Sequence, residues 1–230
     1  MNVLKQGKDI GIITARGNSK RVKKKNIFLC AGKPLLYWTA KTALDSELDR
    51  VILSTDDEEI AEIGKQLGLE VPFLRPKNLA KDETPTLPVI QNVLNYLIDK
   101  NEKINSVTLL QPTSLLRRSI HINDVLNIFN SKECESVVSV TQIPDDFHPK
   151  KFYKIDNHGK VNNDYIFDKE NLVVRNGPAI LTNKPSAILD GKLYNDPILT
   201  YEMDRWHSID INYHEDLLIA ELLINHFEYK

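Results

Sequence analysis

The chain of 230 residues is 41% hydrophobic and 27% charged, a composition that is typical of a globular domain and argues against intrinsic disorder. Its 30 Lys and Arg against 32 Asp and Glu leave a formal charge of −2, so a general nucleic-acid-binding protein is not indicated and any polyanion site must be local. The length suits one domain, or one domain with an arm.

Short apolar runs alternate with helical patterns through the first two thirds of the chain. A buried strand at 10–13 precedes a helix at 34–44, a strand at 51–54 and a helix at 58–67, for which Asp56 or Asp57 is the expected N-cap. The patterns then predict a third strand at 71–74, a helix at 84–98, a strand at 107–110, a helix at 120–129 and a fifth strand at 136–140. This order predicts an α/β fold of three layers, α/β/α, with a mostly parallel sheet between helices.

The pattern changes after residue 141. Residues 141–176 are polar, aromatic and hairpin-like, with a turn expected at 157–159. We interpret this stretch as an arm or insertion within a single domain that spans residues 1–230. Strands at 179–181 and 208–211 are expected to return to the core, and a helix at 215–227 follows.

The cysteines and the N-terminal residues indicate the cellular compartment in which the protein is expected. Cys30 and Cys134 lie far apart and have no partner at metal-ligand spacing, which favours reduced thiols in a cytoplasmic protein. The N-terminus lacks a signal-peptide pattern, and no stretch approaches the roughly 18 apolar residues of a membrane span. We therefore expect neither nucleic acid nor a membrane among the partners.

Open parallel sheets bind ligands beyond the carboxyl ends of their strands, which directs attention to the loops after residues 13, 74, 110 and 211. In the first of these loops, six of the ten residues from 16 to 25 are cationic. Gly17 allows close approach of the backbone, whose N–H groups can form an anion nest. Arg16 and Lys20 can neutralise phosphate charge, and Ser19 adds a hydroxyl donor.

A basic run also has other interpretations: a solvated loop, a localisation signal or an RNA-binding patch. Its position directly after the first strand favours a phosphate site. Neither Gly-x-x-x-x-Gly-Lys-Ser/Thr nor Gly-x-Gly-x-x-Gly occurs, so the sequence indicates neither a P-loop nor a Rossmann dinucleotide site.

The run Ile-Ile-Thr-Ala-Arg-Gly-Asn-Ser-Lys-Arg at 12–21, followed by Lys-Asn at 25–26, resembles the opening signature of CMP-N-acylneuraminate cytidylyltransferases. That family includes the CMP-sialic, CMP-legionaminic and CMP-pseudaminic acid synthetases. The resemblance implies the nucleotidyltransferase fold, similar to that of nucleotide-diphospho-sugar transferases, and a loop that embraces the CTP triphosphate. The residues that it assigns to this loop are Ala15, Arg16, Gly17, Ser19, Lys20, Lys25 and Asn26.

Three later segments carry the same resemblance. Arg75, in Leu-Arg-Pro, and Thr86 are implied to lie near the cytidine or its phosphates, although Thr86 could equally cap a helix. The Gln-Pro-Thr-Ser segment at 111–114 offers amide and hydroxyl groups without charge; its alternative interpretation is a proline turn. An Arg-Asn-Gly segment follows at 175–177. The residues assigned in this way to the acceptor sugar are Gln111, Thr113, Ser114, Arg175 and Asn176.

Asp210 and Asn212 resemble the late Asp-x-Asp of the family, with an amide in the second position. Alternation along a strand would place both side chains on one face, where oxygen ligands suit Mg²⁺ or Mn²⁺. Because Asn212 has no negative charge, we expect Asp210 to dominate the metal site. The alternative is a buried aspartate that holds a loop.

The resemblance implies a cytidylyltransferase, commonly a homodimer, that joins CTP to an acidic nine-carbon 2-keto sugar and releases pyrophosphate. Arg16, Lys20 and Lys25 would stabilise the triphosphate charge, while Asp210 would hold the metal. Two alternatives stay open: a CMP-Kdo-type or other sugar nucleotidyltransferase, and a non-catalytic nucleotide-binding protein. The sequence identifies no general base.

Overall fold

The computed structural model describes residues 5–19, 22, 24–151, 154–155, 161–162 and 172–227. The strands are β1 Lys8–Thr14, β2 Leu29–Cys30, β3 Lys33–Pro34, β4 Arg50–Ser54, β5 Ile104–Leu110, β6 Ser136–Gln142, β7 Lys154–Ile155, β8 Val161–Asn162, β9 Val173–Arg175, β10 Ile180–Asn183 and β11 Ile198–Glu202. The α-helices are α1 Leu35–Leu44, α2 Glu58–Gln66, α3 Thr86–Asp99, α4 Ser119–Ser131, α5 Pro185–Leu189 and α6 His214–His226.

Seven strands form one mixed sheet in the order β11-β6-β10-β5-β1-β4, with β9 also paired to β6. β1 is parallel to both β4 and β5, and β11 is parallel to β6. β10 runs antiparallel between β5 and β6, and β9 is antiparallel to β6. The predicted α/β class with a mostly parallel sheet is therefore confirmed, and two short strands run against the common direction.

The alternation of side chains along β1 explains the three layers. Ile10 and Ile12 point to one face of the sheet, where they pack with Ile90 and Leu94 of α3. Ile13 points to the other face, which is covered by α1, α2 and α4. The buried residues that these three helices contribute include Leu36, Ala40, Ile60, Ile122, Val125 and Phe129.

A third buried cluster lies under the loops at the carboxyl-terminal edge of the sheet. It joins Leu35 and Trp38 of α1 to Leu217 of α6. Leu115, from the segment after β5, and Ile211 also belong to this cluster. All five side chains are at most 7% exposed. The cluster therefore fixes the segment around residue 211 beside the segment that follows β5.

The predicted strand at 71–74 is wrong. Residue 70 alone bridges β4: the Glu70 N–H donates to the Val51 carbonyl at 3.0 Å, and the Leu53 N–H donates to the Glu70 carbonyl at 2.8 Å. Pro72 follows and has no N–H to continue the ladder, so the pairing stops.

The predicted strand at 208–211 is also wrong, because residue 208 ends a turn and residues 209–211 belong to no helix or strand. The Ile211 N–H makes an isolated backbone hydrogen bond to the Thr113 carbonyl at 2.9 Å. The strand that returns to the sheet in this region is β11. Its Ile-Leu-Thr-Tyr-Glu sequence has strong strand propensity but was not identified from the sequence.

The predicted N-cap of the second helix is confirmed. Asp57 is the N-cap of α2, and its Oδ1 accepts a hydrogen bond from the Ile60 N–H at 3.0 Å. Within the arm, β7 and β8 form an antiparallel pair, whereas the turn expected at 157–159 lies outside the described residues. Within the described residues, no helix is long and apolar enough to cross a membrane.

His121 is a buried histidine in the first turn of α4, and its ring takes part in the cap of that helix. Its Nδ1 accepts a hydrogen bond from the Arg118 N–H at 3.2 Å. Burial, followed by the nearby His207, lowers the pKa of His121 to about 4, against an opposing effect of Asp204. The folded chain therefore keeps this ring neutral at a pH at which the unfolded chain protonates it.

We expect the fold to lose stability as the pH falls from about 6.5 to about 4, because over this range the unfolded chain gains a proton on residue 121 and the folded chain does not. The loss is at most about 3 kcal/mol. His121→Gln keeps an acceptor at the same helical position and does not titrate, so its loss should be smaller by that amount. Urea denaturation of both proteins across this range measures the difference; equal losses would contradict the assignment.

Candidate active site

A cleft of about 440 Å³ opens at the carboxyl-terminal edge of the sheet, beyond the ends of β1 and β5. Its walls come from the loop after β1, the segment between Arg75 and α3, the first turn of α3 and the loop after β5. This is the edge at which open parallel sheets bind ligands. The cleft brings together eight of the predicted site residues: Arg16, Ser19, Lys25, Asn26, Arg75, Thr86, Gln111 and Thr113.

The loop after β1 is held in place by its own backbone and by Asn26. The Ala15 N–H continues the sheet by donating to the Ser54 carbonyl at 3.0 Å. Asn26 is buried, and its Nδ2 donates to the Arg16 carbonyl at 2.9 Å. The first half of the basic loop is thereby tied to its second half, so Arg16 and Lys25 are both held at the cleft.

Gly17 lies so close to the start of α2 that only glycine fits. A Cβ atom at this position would come within 2.6 Å of Asp57 Oδ2. The Gly17 N–H donates to Asp56 Oδ1 at 3.1 Å, so in this structure it meets a carboxylate of the protein. The close approach expected of Gly17 therefore occurs, and it brings the loop to an aspartate pair.

Arg16 carries its charge into the cleft but is already paired there. Its Nη2 lies 2.7 Å from Asp82 Oδ1, and its Nη1 donates to the Lys81 carbonyl at 3.3 Å. Asp82 and Lys81 also line the cleft. A ligand that binds the Arg16 guanidinium must therefore displace the Asp82 carboxylate. This requirement favours a strongly anionic ligand.

Arg75 forms a buried positive charge at the cleft wall. Its Nε donates to Ser54 Oγ at 3.0 Å and its Nη2 to the Ser54 carbonyl at 2.5 Å. Burial lowers the pKa of Arg75 to about 10, with Asp56 acting in the opposite direction. The guanidinium stays charged at neutral pH, and a polyanion in the cleft would restore the stabilisation that water no longer gives it.

The first turn of α3 also points at the cleft. Pro85 is its N-cap residue and makes no side-chain capping hydrogen bond, and the first turn contains no acidic residue. The alternative interpretation of Thr86 as a helix cap is therefore wrong; Thr86 instead lines the cleft. An uncapped helix start carries partial positive charge, which adds to that of Arg16 and Arg75.

Lys25 connects the basic loop to the segment that contains Asp210. Its Nζ donates to the Ile211 carbonyl at 3.0 Å, and the Ile211 N–H is held by the Thr113 carbonyl. The backbone next to Asp210 is thus held between Lys25 and the loop after β5, although neither Asp210 nor Asn212 is among the described residues that line the cleft. Lys20, for which a triphosphate contact was predicted, lies outside the described residues.

Asp210 and Asn212 contact each other, although they lie on an irregular segment and not on a strand. Asn212 Nδ2 donates to Asp210 Oδ2 at 2.9 Å, so the amide presents its nitrogen to the carboxylate. Asp210 Oδ1 is buried and has no hydrogen-bond partner among the described residues. A buried carboxylate oxygen of this kind fits a hard cation such as Mg²⁺. No group of three His, Cys, Asp or Glu side chains in the described part of the chain surrounds a possible metal position.

The remaining residues assigned to the sugar are distributed differently from expectation. Ser114 is buried beside the cleft and its hydroxyl has no hydrogen-bond partner among the described residues. Arg175 lies over the ring of Tyr194, 4.8 Å from its centroid, and is not among the described residues that line the cleft. Asn176 is buried, with Oδ1 accepting from Ser139 Oγ at 2.7 Å.

One buried residue near the site was not singled out from the sequence. Arg117 is fully buried, and its Nη1 donates a hydrogen bond to the Ala179 carbonyl at 2.5 Å. Burial lowers the pKa of Arg117 to about 9. Arginine is seldom fully buried, so composition and spacing give no signal for such a residue.

Comparison with known proteins identifies related sequences. The sequence model of the cytidylyltransferase family matches residues 10–176. An N-acylneuraminate cytidylyltransferase of Escherichia coli O18:K1:H7 is 32% identical over 93% of the chain, which spans about half of that protein, 51% of its length. A CMP-N,N'-diacetyllegionaminic acid synthase of Legionella pneumophila is 31% identical over 94% of the chain and 95% of its own length.

A solved structure shares the fold. A CMP:2-keto-3-deoxy-manno-octonic acid synthetase, determined in complex with CTP, superposes with a TM-score of 0.71 over 96% of this chain and 99% of its own. The two sequences are 13% identical, so the similarity concerns the fold. The predicted nucleotidyltransferase fold is thereby confirmed.

The pairing of Arg16 with Asp82 generates a prediction about anion binding. Arg16→Ala should weaken the binding of inorganic triphosphate about tenfold, because a charge-assisted contact is lost. Asp82→Asn should strengthen it by about two- to fivefold, because triphosphate no longer has to displace a carboxylate. Isothermal titration calorimetry measures both constants, with Asp99→Asn at the far end of α3 as the matched control. Weaker binding by Asp82→Asn would show that Asp82 supports the site instead of competing for it.

Proposed function

The chain belongs to the cytidylyltransferase family, and from this premise we propose that it transfers the cytidylyl group of CTP to an acidic nine-carbon 2-keto sugar. The products are a CMP-sugar and pyrophosphate. Sialic, legionaminic and related nonulosonic acids are the proposed acceptors, because the relatives are named for N-acylneuraminate and N,N'-diacetyllegionaminic acid. The observation that carries the proposal is the cleft where Arg16, Lys25 and Arg75 converge beside the uncapped start of α3.

The positive groups of the cleft match a triphosphate. In the proposed reaction an acceptor hydroxyl oxygen forms a bond to the α-phosphorus of CTP, and the bond from that phosphorus to the bridging oxygen of pyrophosphate breaks. Arg16, Lys25 and Arg75 stabilise the negative charge that shifts onto the leaving pyrophosphate. The proton of the attacking hydroxyl group is released to solvent.

A divalent cation, Mg²⁺ or Mn²⁺, belongs to the proposal. Asp210 would hold it through Oδ1, the buried oxygen without a partner among the described residues, with Asn212 beside it. When bound, the cation neutralises phosphate charge and orients the reacting groups. Lys25, through its hydrogen bond to the Ile211 carbonyl, keeps the Asp210 segment against the triphosphate loop.

For the acceptor sugar we propose contacts with the uncharged loop after β5. Gln111 and Thr113 line the cleft at its Asp210 side, where their amide and hydroxyl groups can meet sugar hydroxyls. Arg175 is the proposed partner of the sugar carboxylate. Asn176, the residue after Arg175, is fixed in place because its Oδ1 accepts from both Ser139 Oγ and the Ala179 N–H.

A homodimer that works in the cytoplasm completes the proposal. Phe147, Val173 and Val174 of the arm are exposed apolar side chains, which a partner subunit would remove from water. Cys30 and Cys134 are free and buried, which suits a reducing compartment.

The proposal predicts pyrophosphate release from CTP in the presence of a nonulosonic acid and Mg²⁺, and much slower release from ATP, GTP or UTP. Asp210→Ala should lower kcat by about 100-fold or more while the far-UV circular dichroism spectrum stays unchanged. Asp190→Ala on the exposed end of α5 is the matched control. A coupled pyrophosphate assay with a panel of nine-carbon acids and the eight-carbon acid Kdo measures both effects.

The outcomes of that assay separate the alternatives. Turnover with Kdo but with none of the nine-carbon acids would replace the acceptor class. Binding of CTP and Mg²⁺ without turnover on any acid would identify a non-catalytic nucleotide-binding protein. Near-normal turnover by Asp210→Ala would remove this residue from the metal site.

A further inference from the structure

α6 carries apolar side chains on both of its sides. The side toward the fold is buried in the cluster under the loops and consists of Leu217, Ala220 and Ile224. The opposite side carries Leu218, Ile219 and Leu222, which are 65%, 46% and 70% exposed. A surface helix ordinarily places polar residues away from the core, so this apolar side indicates a contact with another molecule.

Four exposed residues on that side are spaced like the contact positions of a coiled coil. Glu215, Ile219, Leu222 and His226 follow one another at intervals of four, three and four residues. With a turn of about 100° per residue, they lie within an arc of about 60° that is centred opposite the buried side. Helices with this spacing pack against each other knobs-into-holes. We call these four residues the α6 seam.

The charge nearest to the centre of the α6 seam is directed away from it. Glu221 Oε1 accepts a hydrogen bond from the Ala31 N–H at 3.1 Å. The carboxylate of Glu221 is therefore turned toward the connection between β2 and β3. Leu218 lies on the helix surface between Glu221 and the seam, so it widens the apolar surface instead of interrupting it.

The α6 seam is complementary to itself when a second copy lies antiparallel to the first. A two-fold axis that passes between Ile219 and Leu222 places each of these side chains against the other in the second copy. The same axis places Glu215 of one copy opposite His226 of the other at both ends, because the two residues lie equally far from the centre. A carboxylate then accepts a hydrogen bond from an imidazole N–H on each side of an apolar centre. A parallel pair would bring Glu215 against Glu215, which is unfavourable.

We propose that the α6 seam is a self-association surface, on which two copies of this chain pack their α6 helices antiparallel. The surface is separate from the arm, for which a dimer contact is proposed above, and it does not depend on the proposed activity. The α6 contact alone gives a dimer. Together with a dimer contact through the arm it gives a closed tetramer, provided that the two axes are perpendicular.

A charge at the centre of the seam tests the contact. Leu222→Asp should halve the mass of the assembly at high micromolar concentration, with or without a dimer through the arm, because each copy would have to bury a carboxylate in an apolar contact. Light scattering after size-exclusion chromatography measures the mass over a range of concentrations, and far-UV circular dichroism checks the fold. Ile120→Asp is the matched control, since Ile120 is an apolar residue of α4 that is 53% exposed, and it should leave the mass unchanged.

An exchange of charge between the ends of the seam tests the antiparallel arrangement. His226→Glu places two carboxylates opposite each other at both ends, so the dissociation constant of the α6 contact should rise about tenfold or more. Glu215→Lys combined with His226→Glu restores opposite charges, and should return the dissociation constant to within about threefold of the wild-type value. Sedimentation velocity measures these constants. The exchange also decides the question if Leu222→Asp fails to fold.

The proposal is overturned if Leu222→Asp has the same mass as the wild-type chain at every concentration, which would assign this side of α6 to a different protein or to solvent. It is also overturned if Ile120→Asp lowers the mass as much as Leu222→Asp. A double variant that stays as weakly associated as His226→Glu would refute the antiparallel pairing. Pyrophosphate release is measured separately, so loss of the α6 contact and loss of the proposed activity are distinguishable.

Discussion

The parallel pairing of β1 on both of its sides is the constraint on which the site depends. β4 and β5 run in the same direction as β1, so the loops that follow all three strands begin at one edge of the sheet. These loops bring Arg16, Asp56 and Gln111 into one neighbourhood, although they are widely separated in sequence. The buried cluster around Leu35 and Ile211 then fixes the Asp210 segment at the same edge. The chemistry of the cleft is therefore a consequence of strand direction.

Acidic side chains of the protein balance the positive charge of the basic loop. A concentration of cations in one cleft is unfavourable without counter-charges, and the fold supplies these from its own acidic residues. Asp56 accepts from the Gly17 N–H, and Asp82 pairs with Arg16. The helix start at Thr86 carries partial charge that no acidic side chain of its first turn balances. The basic loop is thus ordered by carboxylates in a geometry that also suits phosphate oxygens.

The sequence predicted most of the fold because the central elements follow simple patterns. The apolar runs of β1, β4, β5 and β6 and the spacing within α3 identified the layers, and Asp57 identified a helix start. The failures have local causes. Pro72 interrupts a pairing that the apolar run at 71–74 favours, and the apolar residues around Ile211 are buried by a loop cluster instead of a strand.

Most of the residues that line the cleft were also predictable, because charged and polar residues that follow strands indicate a ligand site. Positive charge after a strand and uncharged polar residues after another strand indicated Arg16, Lys25 and Gln111, which line one cleft. Partners across the cleft depend on the fold in three dimensions, so the contact of Arg16 with Asp82 had no signal. The same holds for the direction of Asn212, whose amide group can present either nitrogen or oxygen until its neighbours are known.

The ion pair between Arg16 and Asp82 affects how small anions compete for the cleft. Asp82 is attached to the same chain as Arg16, so it competes for this contact as an intramolecular counter-ion. Orthophosphate or chloride would have to compete with this built-in counter-ion at one contact and would gain little elsewhere. In the proposed complex, a chain of three phosphates would gain contacts at Arg75, Lys25 and the start of α3 at the same time. Under the proposed function, the cleft would thereby select ligands by their charge before any base or sugar is recognised, and simple salts would leave it available to nucleotides.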